Sequence, residues 1–396
     1  MRSVLWLYLF LFVAFFDLHA QYPILTPFAI SLGAAPSFIG LMMGMYSFTH
    51  LPGNVMAGYG IDRFGSRIFI VLSLIGAGII MILQAHVVNP WQLLVLRSIS
   101  GFVLAFLSPA CLTLLARMAR DHVQQGKLMA GNGLVHTLAS VVSPAAGAYL
   151  VAKIGFSMAF QALGIALVFV GALAWFFIQD IKESDMHKTP AQSENTSTPV
   201  TANDKAPAVP WRFYFMPLAI ACSQGILFFE LPLMADALES IMKTGILFSA
   251  VSLGALFTLS LLFLNQYPAF TRTWMGAFGL SLLFFGLAIH WPIPLMATLF
   301  FIGMTKGIIL PALSAHLIQL SGGVRYGRIF SILSIASSIG SFLGPMLAGQ
   351  IRDTISPYFI AFLFLMLAVT MLPARHPFIP HGRLHTQQPQ ATSPRT

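Results

Sequence analysis

Runs of about twenty mostly apolar residues recur twelve times along this chain, and that recurrence constrains it more than anything else. A bilayer core about 30 Å thick takes roughly 20 apolar residues of helix to cross. The runs fall at 4–32, 36–58, 68–88, 91–117, 128–151, 156–179, 211–233, 241–264, 274–290, 294–320, 329–351 and 357–372. Charges are correspondingly scarce. Only 8% of the 396 residues are charged and 57% are hydrophobic, against about 25% charged in a soluble domain. So few charges cannot coat a water-facing surface, which excludes a cytosolic enzyme or a nucleic-acid-binding module. The high pI, about 9.8, then reflects basic residues flanking the membrane rather than a nucleic-acid surface. Cys111 and Cys222 both sit in apolar runs and are expected to be packed thiols. The expected fold class is an all-α membrane protein of twelve transmembrane helices.

Polar material is concentrated in two places. Residues 180–210 are rich in Ser, Thr, Pro and charge and read as a flexible linker; 374–396 read as a disordered tail. The chain therefore divides into a six-helix bundle over 1–179, the linker, and a second six-helix bundle over 211–373. Near the N-terminus, Arg2, an apolar run and Leu18-His19-Ala20 look like a cleavable leader. Apolar character resumes over 22–32, however, so the whole segment is expected to stay as the first span.

Basic residues orient the spans. Of 21 Lys and Arg, sixteen fall on the side of the two termini if the N-terminus is inside; Lys153, Lys243 and Arg352 fall on the other side, and Arg97 and Lys306 within spans. The expectation is a cell-membrane protein with both termini, the linker and the tail cytoplasmic.

The two halves echo each other. Residues 101–109 align with 303–311, Gly126-Lys127 with Gly327-Arg328, and 143–148 with 344–349, at offsets of 201 or 202. Three matches in order predict pseudo-symmetric halves, an arrangement in which a site between them can face either side in turn.

Between the second and third runs the chain reads Gly58-Tyr-Gly-Ile-Asp62-Arg63-Phe-Gly65-Ser66-Arg67. This resembles the G-x-x-x-D-R-x-G-R-R/K signature of the major facilitator superfamily, at the position where that family carries it; Ser66 replaces a usual basic residue. The counterpart over 265–272 has lost its glycines and aspartate. The resemblance implies the major facilitator fold, two six-helix bundles working by alternating access. It also implies that Gly58, Asp62, Arg63, Gly65 and Arg67 latch the halves on the cytoplasmic side. Arg97 followed by Gly101 resembles the family's arginine motif. Ser143-Pro144-Ala-Ala-Gly147 resembles its proton-coupled exporter motif, with Gly344-Pro345 as the echo in the second half. Pro144, Gly147, Gly344 and Pro345 also read simply as sites of helix bending and close packing.

An ionisable side chain inside the bilayer costs at least ~2.5–3.5 kcal/mol and must face a cavity or a partner. Asp17 in run one and Arg97 in run four lie at similar depth, with Gln21 one turn from Asp17. They are expected to pair, Asp17 as the proton-responsive carboxylate and Arg97 as its charge partner. Deeper towards the inner side, Tyr46, His50 and Asn54 form one polar stripe, and Asn132, His136 and Ser140 another, with Lys306 close by. These residues are expected to line a central cavity, His50 or His136 relaying protons. Glu230 is expected as an interfacial carboxylate, and Asp236 and Glu239 as solvated.

The leading expectation is a secondary transporter, proton-coupled and exporting small hydrophobic or amphipathic compounds, working as a monomer in the lipid bilayer without cofactor, metal or nucleic acid. Alternatives of the same fold are a lipid or glycolipid flippase and an uptake permease. Asp17, the His50/Asn54 stripe and the Lys306–Pro311 element are similar to bacterial glycolipid flippases of this superfamily. A membrane-embedded transferase lacks support: there is no nucleotide-binding loop, no H-E-x-x-H pair and no Ser/His/Asp cluster at one depth.

Overall fold

The computed structural model describes residues 2–118, 122–178, 210–234, 240–320 and 326–373. The linker up to residue 209, the tail, Asp236 and Glu239 lie outside the described residues. Among the described residues all of the regular structure is helical.

Span one is two helices, Arg2–Ala20 and Tyr22–Ser31, which meet at 42°. Pro23 has no N–H to bond the carbonyl of His19, so the ladder breaks where Gln21 sits. Span two is Pro36–Phe64 and span three Ser66–Gln84. Gly65 joins them at φ +86°, a conformation open to glycine and costly for other residues. Span four is broken at Ala105-Phe106, into Pro90–Leu104 and Leu107–Met118, ahead of Pro109. Spans five and six run through His122–Phe177 and are separated at Gly155, φ +78°. The second half comprises Phe215–Glu230, Ile241–Ser260, Ala269–Ala288, Leu295–Leu320, Tyr326–Ile351 and Pro357–Met371, spans seven to twelve. The described residues thus form twelve spans. The breaks in spans one and four were not expected from the sequence, which reads each as one continuous run.

Seven elements are each long and apolar enough to cross a membrane, with 131–177 counted once, and the bent first span makes an eighth. The other three fall short for local reasons. Span two carries the polar stripe, span nine carries Arg272, and span twelve has 15 residues.

The packing repeats between halves. In the first half span one lies on five, two on four and three on six; in the second, seven lies on eleven, eight on ten and nine on twelve. Glycines set these contacts in both halves. A Cβ at Gly147 would stand 2.7 Å from the carbonyl oxygen of Ala20 in span one, and one at Gly344 would collide with that of Cys222 in span seven. Likewise Gly101 sits against the carbonyl of Tyr46, and Gly303 against that of Val251. Small residues allow this approach where no hydrophobic force drives helices together.

The halves meet through spans two and eleven and spans five and eight. Gly40 faces the carbonyl of Pro345, and a Cβ at Gly245 would lie 2.6 Å from that of Pro144. Both contacts lie towards the ends of the spans opposite the chain termini. Farther along the same spans, towards the termini, Leu134 and Val55 are exposed. Cys111 and Cys222 are free and buried.

Candidate functional site

Two adjoining cavities lie between the halves. The larger, about 370 Å³, is bounded by Gln21, Tyr46 and Arg97 on one side and by Gln224, Phe228 and Ser341 on the other. The smaller, about 220 Å³, takes in His19, His136, Ser140, Phe248 and Lys306. Tyr22, Gln224, Phe228 and Leu310 border both.

The bend in span one delivers the first group of polar side chains. Gln21 Nε2 donates to Asp17 Oδ2 at 2.9 Å, and Arg97 Nη1 donates to Gln21 Oε1. All three are at most 5% exposed. The expected direct pair of Asp17 with Arg97 is therefore replaced by a relay through the Gln21 amide. Gln21 is one turn from Asp17, so it shares that face and reaches the guanidinium first. Asp17 Oδ1 and Arg97 Nε are buried without a hydrogen-bond partner. Gly101, one turn beyond Arg97, brings span four against span two and lays the guanidinium over the Tyr46 ring, 4.6 Å from its centroid. Thr49 Oγ1, which donates to the Ser98 carbonyl at 2.7 Å, fastens the same crossing.

The second group gathers around the smaller cavity. The rings of His19 and His136 are 5.1 Å apart, and His19 Nδ1 donates to the Phe15 carbonyl at 2.7 Å. Lys306 Nζ lies 5.9 Å from the centroid of the Phe228 ring. Gly303 and Gly307 on either side of it let span ten close on span eight, where Thr258 Oγ1 donates to the Met304 carbonyl at 2.9 Å.

The remaining expected site residues are elsewhere. Asn54 Nδ2 donates to His50 Nδ1 at 2.9 Å, so the predicted stripe is joined within itself, but His50, Asn54 and Asn132 line neither cavity. Asn132 Oδ1 is buried without a hydrogen-bond partner. Asp17 lines neither cavity; Gln21, which bonds to it, lines the larger. Pro144 borders the smaller cavity and Pro345 the larger; Gly147 and Gly344 are behind them in the helix contacts described above. In the signature loop, Arg67 lies 4.7 Å from the Trp175 ring and donates to the Trp175 carbonyl, and Arg63 stacks on Phe64. The side-chain surroundings of Gly58 and Asp62 lie outside the description. Glu230 is the last residue of the span-seven helix, the end at which an interfacial carboxylate is expected; it is 6% exposed, with Arg352 Nε 3.6 Å from its carboxylate.

Sequence reasoning missed Tyr22, Gln224 and Phe228 and gave His19 no role. Gln224 and Phe228, four apart on span seven, share a helix face, but a lone amide among so many aromatic residues carries no signal of its own. His19 is brought to His136 only by the contact of span one with span five.

Comparison with known proteins agrees with this architecture. Residues 7–290 match the family model for the Major Facilitator Superfamily, and the chain belongs to that family. It is a multi-pass secondary transporter, not an enzyme. Among characterised relatives, it is 24% identical over 319 residues to the multidrug resistance protein MdtG of Yersinia enterocolitica, covering 78% of this chain and 75% of that one. It is 23% identical over 369 residues to the quinolone resistance protein NorA of Staphylococcus aureus, covering 89% and 90%. Solved structures of the same fold include a bacterial homologue of the human lysosomal transporter Spinster in an inward-facing, occupied conformation, with a TM-score of 0.75, 15% identity and coverage of 94% and 95%. Another is a point mutant of the nucleoside transporter NupG, with a TM-score of 0.68, 16% identity and coverage of 93% and 98%.

Proposed function

We propose that this transporter exports small hydrophobic or amphipathic compounds by alternating access, driven by protons that bind and leave Asp17. The observation that carries this reading is the buried Asp17 carboxylate, one oxygen unpartnered, joined through Gln21 and Arg97 to a cavity lined by both halves. A carboxylate at that depth is costly unless it does work or is fully paired. Here its link to the cavity runs through Gln21 and Arg97, so its charge state is felt where cargo sits. The names of MdtG and NorA, resistance proteins, favour export. The distribution of basic residues favours both termini on the cytoplasmic side. The spans then close at the outer face and part towards the cytoplasm, where Arg63, Arg67 and the rest of the signature loop latch the halves in the opposite state. The linker and tail belong to the same cytoplasmic side, and the monomer is the working unit.

Purified protein in proteoliposomes, with an imposed pH gradient, is expected to accumulate compounds from a panel of hydrophobic toxins that retard a bacterial host lacking the chain. Asp17→Asn is expected to abolish gradient-driven accumulation while leaving exchange of cargo across the membrane intact. Gradient-driven accumulation by a normally inserted Asp17→Asn protein at the wild-type rate would remove the coupling role.

A further inference from the structure

We propose that the cargo is an anionic amphiphile, its carboxylate or phosphate head held by Lys306 beside His19 and His136, its apolar body against Tyr22, Phe228 and Phe248. The inference rests on the transport reading above and goes beyond it by naming the charge of the substrate.

The argument is one of charge balance around the cavities. Among the described residues, neither cavity is lined by an aspartate or glutamate. The larger has Arg97 on its wall, and the nearest carboxylate, Asp17, is screened by Gln21, to which both are hydrogen-bonded. Arg97 and Asp17 thus offset each other. The smaller cavity has Lys306, close enough for its charge to act on both imidazoles, and no acidic side chain. Its contact is the face of Phe228, which tempers an ammonium charge but does not neutralise it. The polar groups sharing the cavity with Lys306 are His19, His136, Thr137, Ser140, Ser252 and Gln224, all neutral or basic. An uncompensated ammonium in a low-dielectric site is expensive, and an arriving anion relieves that cost. An organic cation finds no carboxylate there. The rest of the wall is apolar, with Tyr22, Phe228 and Phe248 in contact from both halves: ring centroids are 4.3 Å apart for Tyr22 and Phe228, and 5.4 Å for Phe228 and Phe248. A head group that is anionic and a tail that is apolar match the two kinds of surface offered.

The test is equilibrium binding to the full chain in nanodiscs of zwitterionic lipid, corrected with empty discs, using probes of one chain length: laurate, dodecyl phosphate, dodecanol and dodecyltrimethylammonium. Laurate and dodecyl phosphate are expected to bind at least ~10-fold tighter than dodecyltrimethylammonium, the scale of one charge-assisted contact. Inorganic phosphate alone, lacking a tail, is expected not to displace them. Lys306→Gln is expected to abolish the preference for the anions and keep dodecanol binding, which reports an intact cavity; Lys306→Arg keeps the preference. Cation binding equal to or tighter than laurate binding in the wild-type protein overturns the proposal whether or not any variant folds. So does an unchanged laurate preference in a Lys306→Gln protein that still binds dodecanol. Binding selectivity is read without a gradient, so a failure of alternating access appears separately, as proteoliposomes that bind laurate but do not move it.

Discussion

Asp17 and Arg97 face each other across the first half without touching, because the amide of Gln21 occupies the gap and bonds to both. An amide has a donor and an acceptor at one end, so it can satisfy a carboxylate and a guanidinium together. A carboxylate joined this way is held in place but keeps an oxygen, Oδ1, free of hydrogen bonds. That is the geometry of a group that can change its protonation without dismantling its surroundings.

Removal of the bridge should cost more than one bond. Gln21→Ala leaves two buried charged groups short of a partner, at about 1–3 kcal/mol for each buried group left unsatisfied. A lower unfolding temperature is expected, read with a thiol-reactive fluorophore, since Cys111 and Cys222 are buried in the native protein. A Gln21→Ala protein that melts with the wild type would show that the bridge contributes nothing.

Glycines at the crossings should be intolerant, and those facing open space indifferent. A Cβ at Gly303 would collide with the Val251 carbonyl, whereas nothing lies within 4 Å of one at Gly133. Gly303→Ala is expected to destabilise by about 1–3 kcal/mol, the range for overpacked sites. Gly133→Ala should be neutral or slightly stabilising, since alanine is the better helix former. Equal melting temperatures for the two would contradict the packing described.

The Glu230–Arg352 pair ties the end of span seven to the end of span eleven, within the second half. Arg352→Ala strands a buried carboxylate, and the expected loss is about 1–3 kcal/mol, below the ~3–5 kcal/mol of a fully buried pair because the Arg352 side chain keeps 23% exposure. Glu230→Gln should cost less than Arg352→Ala. A double-mutant cycle with a coupling energy near zero would reduce the pair to a bystander.

The contact between spans two and eleven can be trapped. Phe48 and Phe342 meet across spans two and eleven with ring centroids 5.6 Å apart. Phe48→Cys with Phe342→Cys, in a background with Cys111 and Cys222 changed to Ser, should be joined by a short bifunctional thiol reagent. Cross-linked protein is expected to stop transporting and to recover when the linker is cleaved. Cross-linking with undiminished transport would mean that these two spans do not separate during the cycle.

The apolar runs, the offset repeat and the signature loop were enough to place twelve spans in two related halves. The reason is that lipid demands hydrophobic length, and duplicated halves leave matching residues at matching intervals. The breaks in spans one and four were less legible. Pro23 and Pro109 announce an interruption, but a proline inside an apolar run marks a bend as often as an end. The polar stripe of span two was correctly read as one helical face, yet its His50 and Asn54 bond to each other rather than lining the two cavities. Periodicity gives the face of a helix; it does not say what the face looks at.

What the sequence by itself determined is where helices cross the membrane and which residues are too polar to meet lipid, because the bilayer taxes each residue one at a time. Only the tertiary structure decided that Gln21 separates Asp17 from Arg97, that His19 meets His136, and that Lys306 shares a wall with Phe228. Those outcomes depend on how closely two backbones approach, which is settled at glycines such as Gly101 and Gly303 by contacts with residues some fifty positions away along the chain.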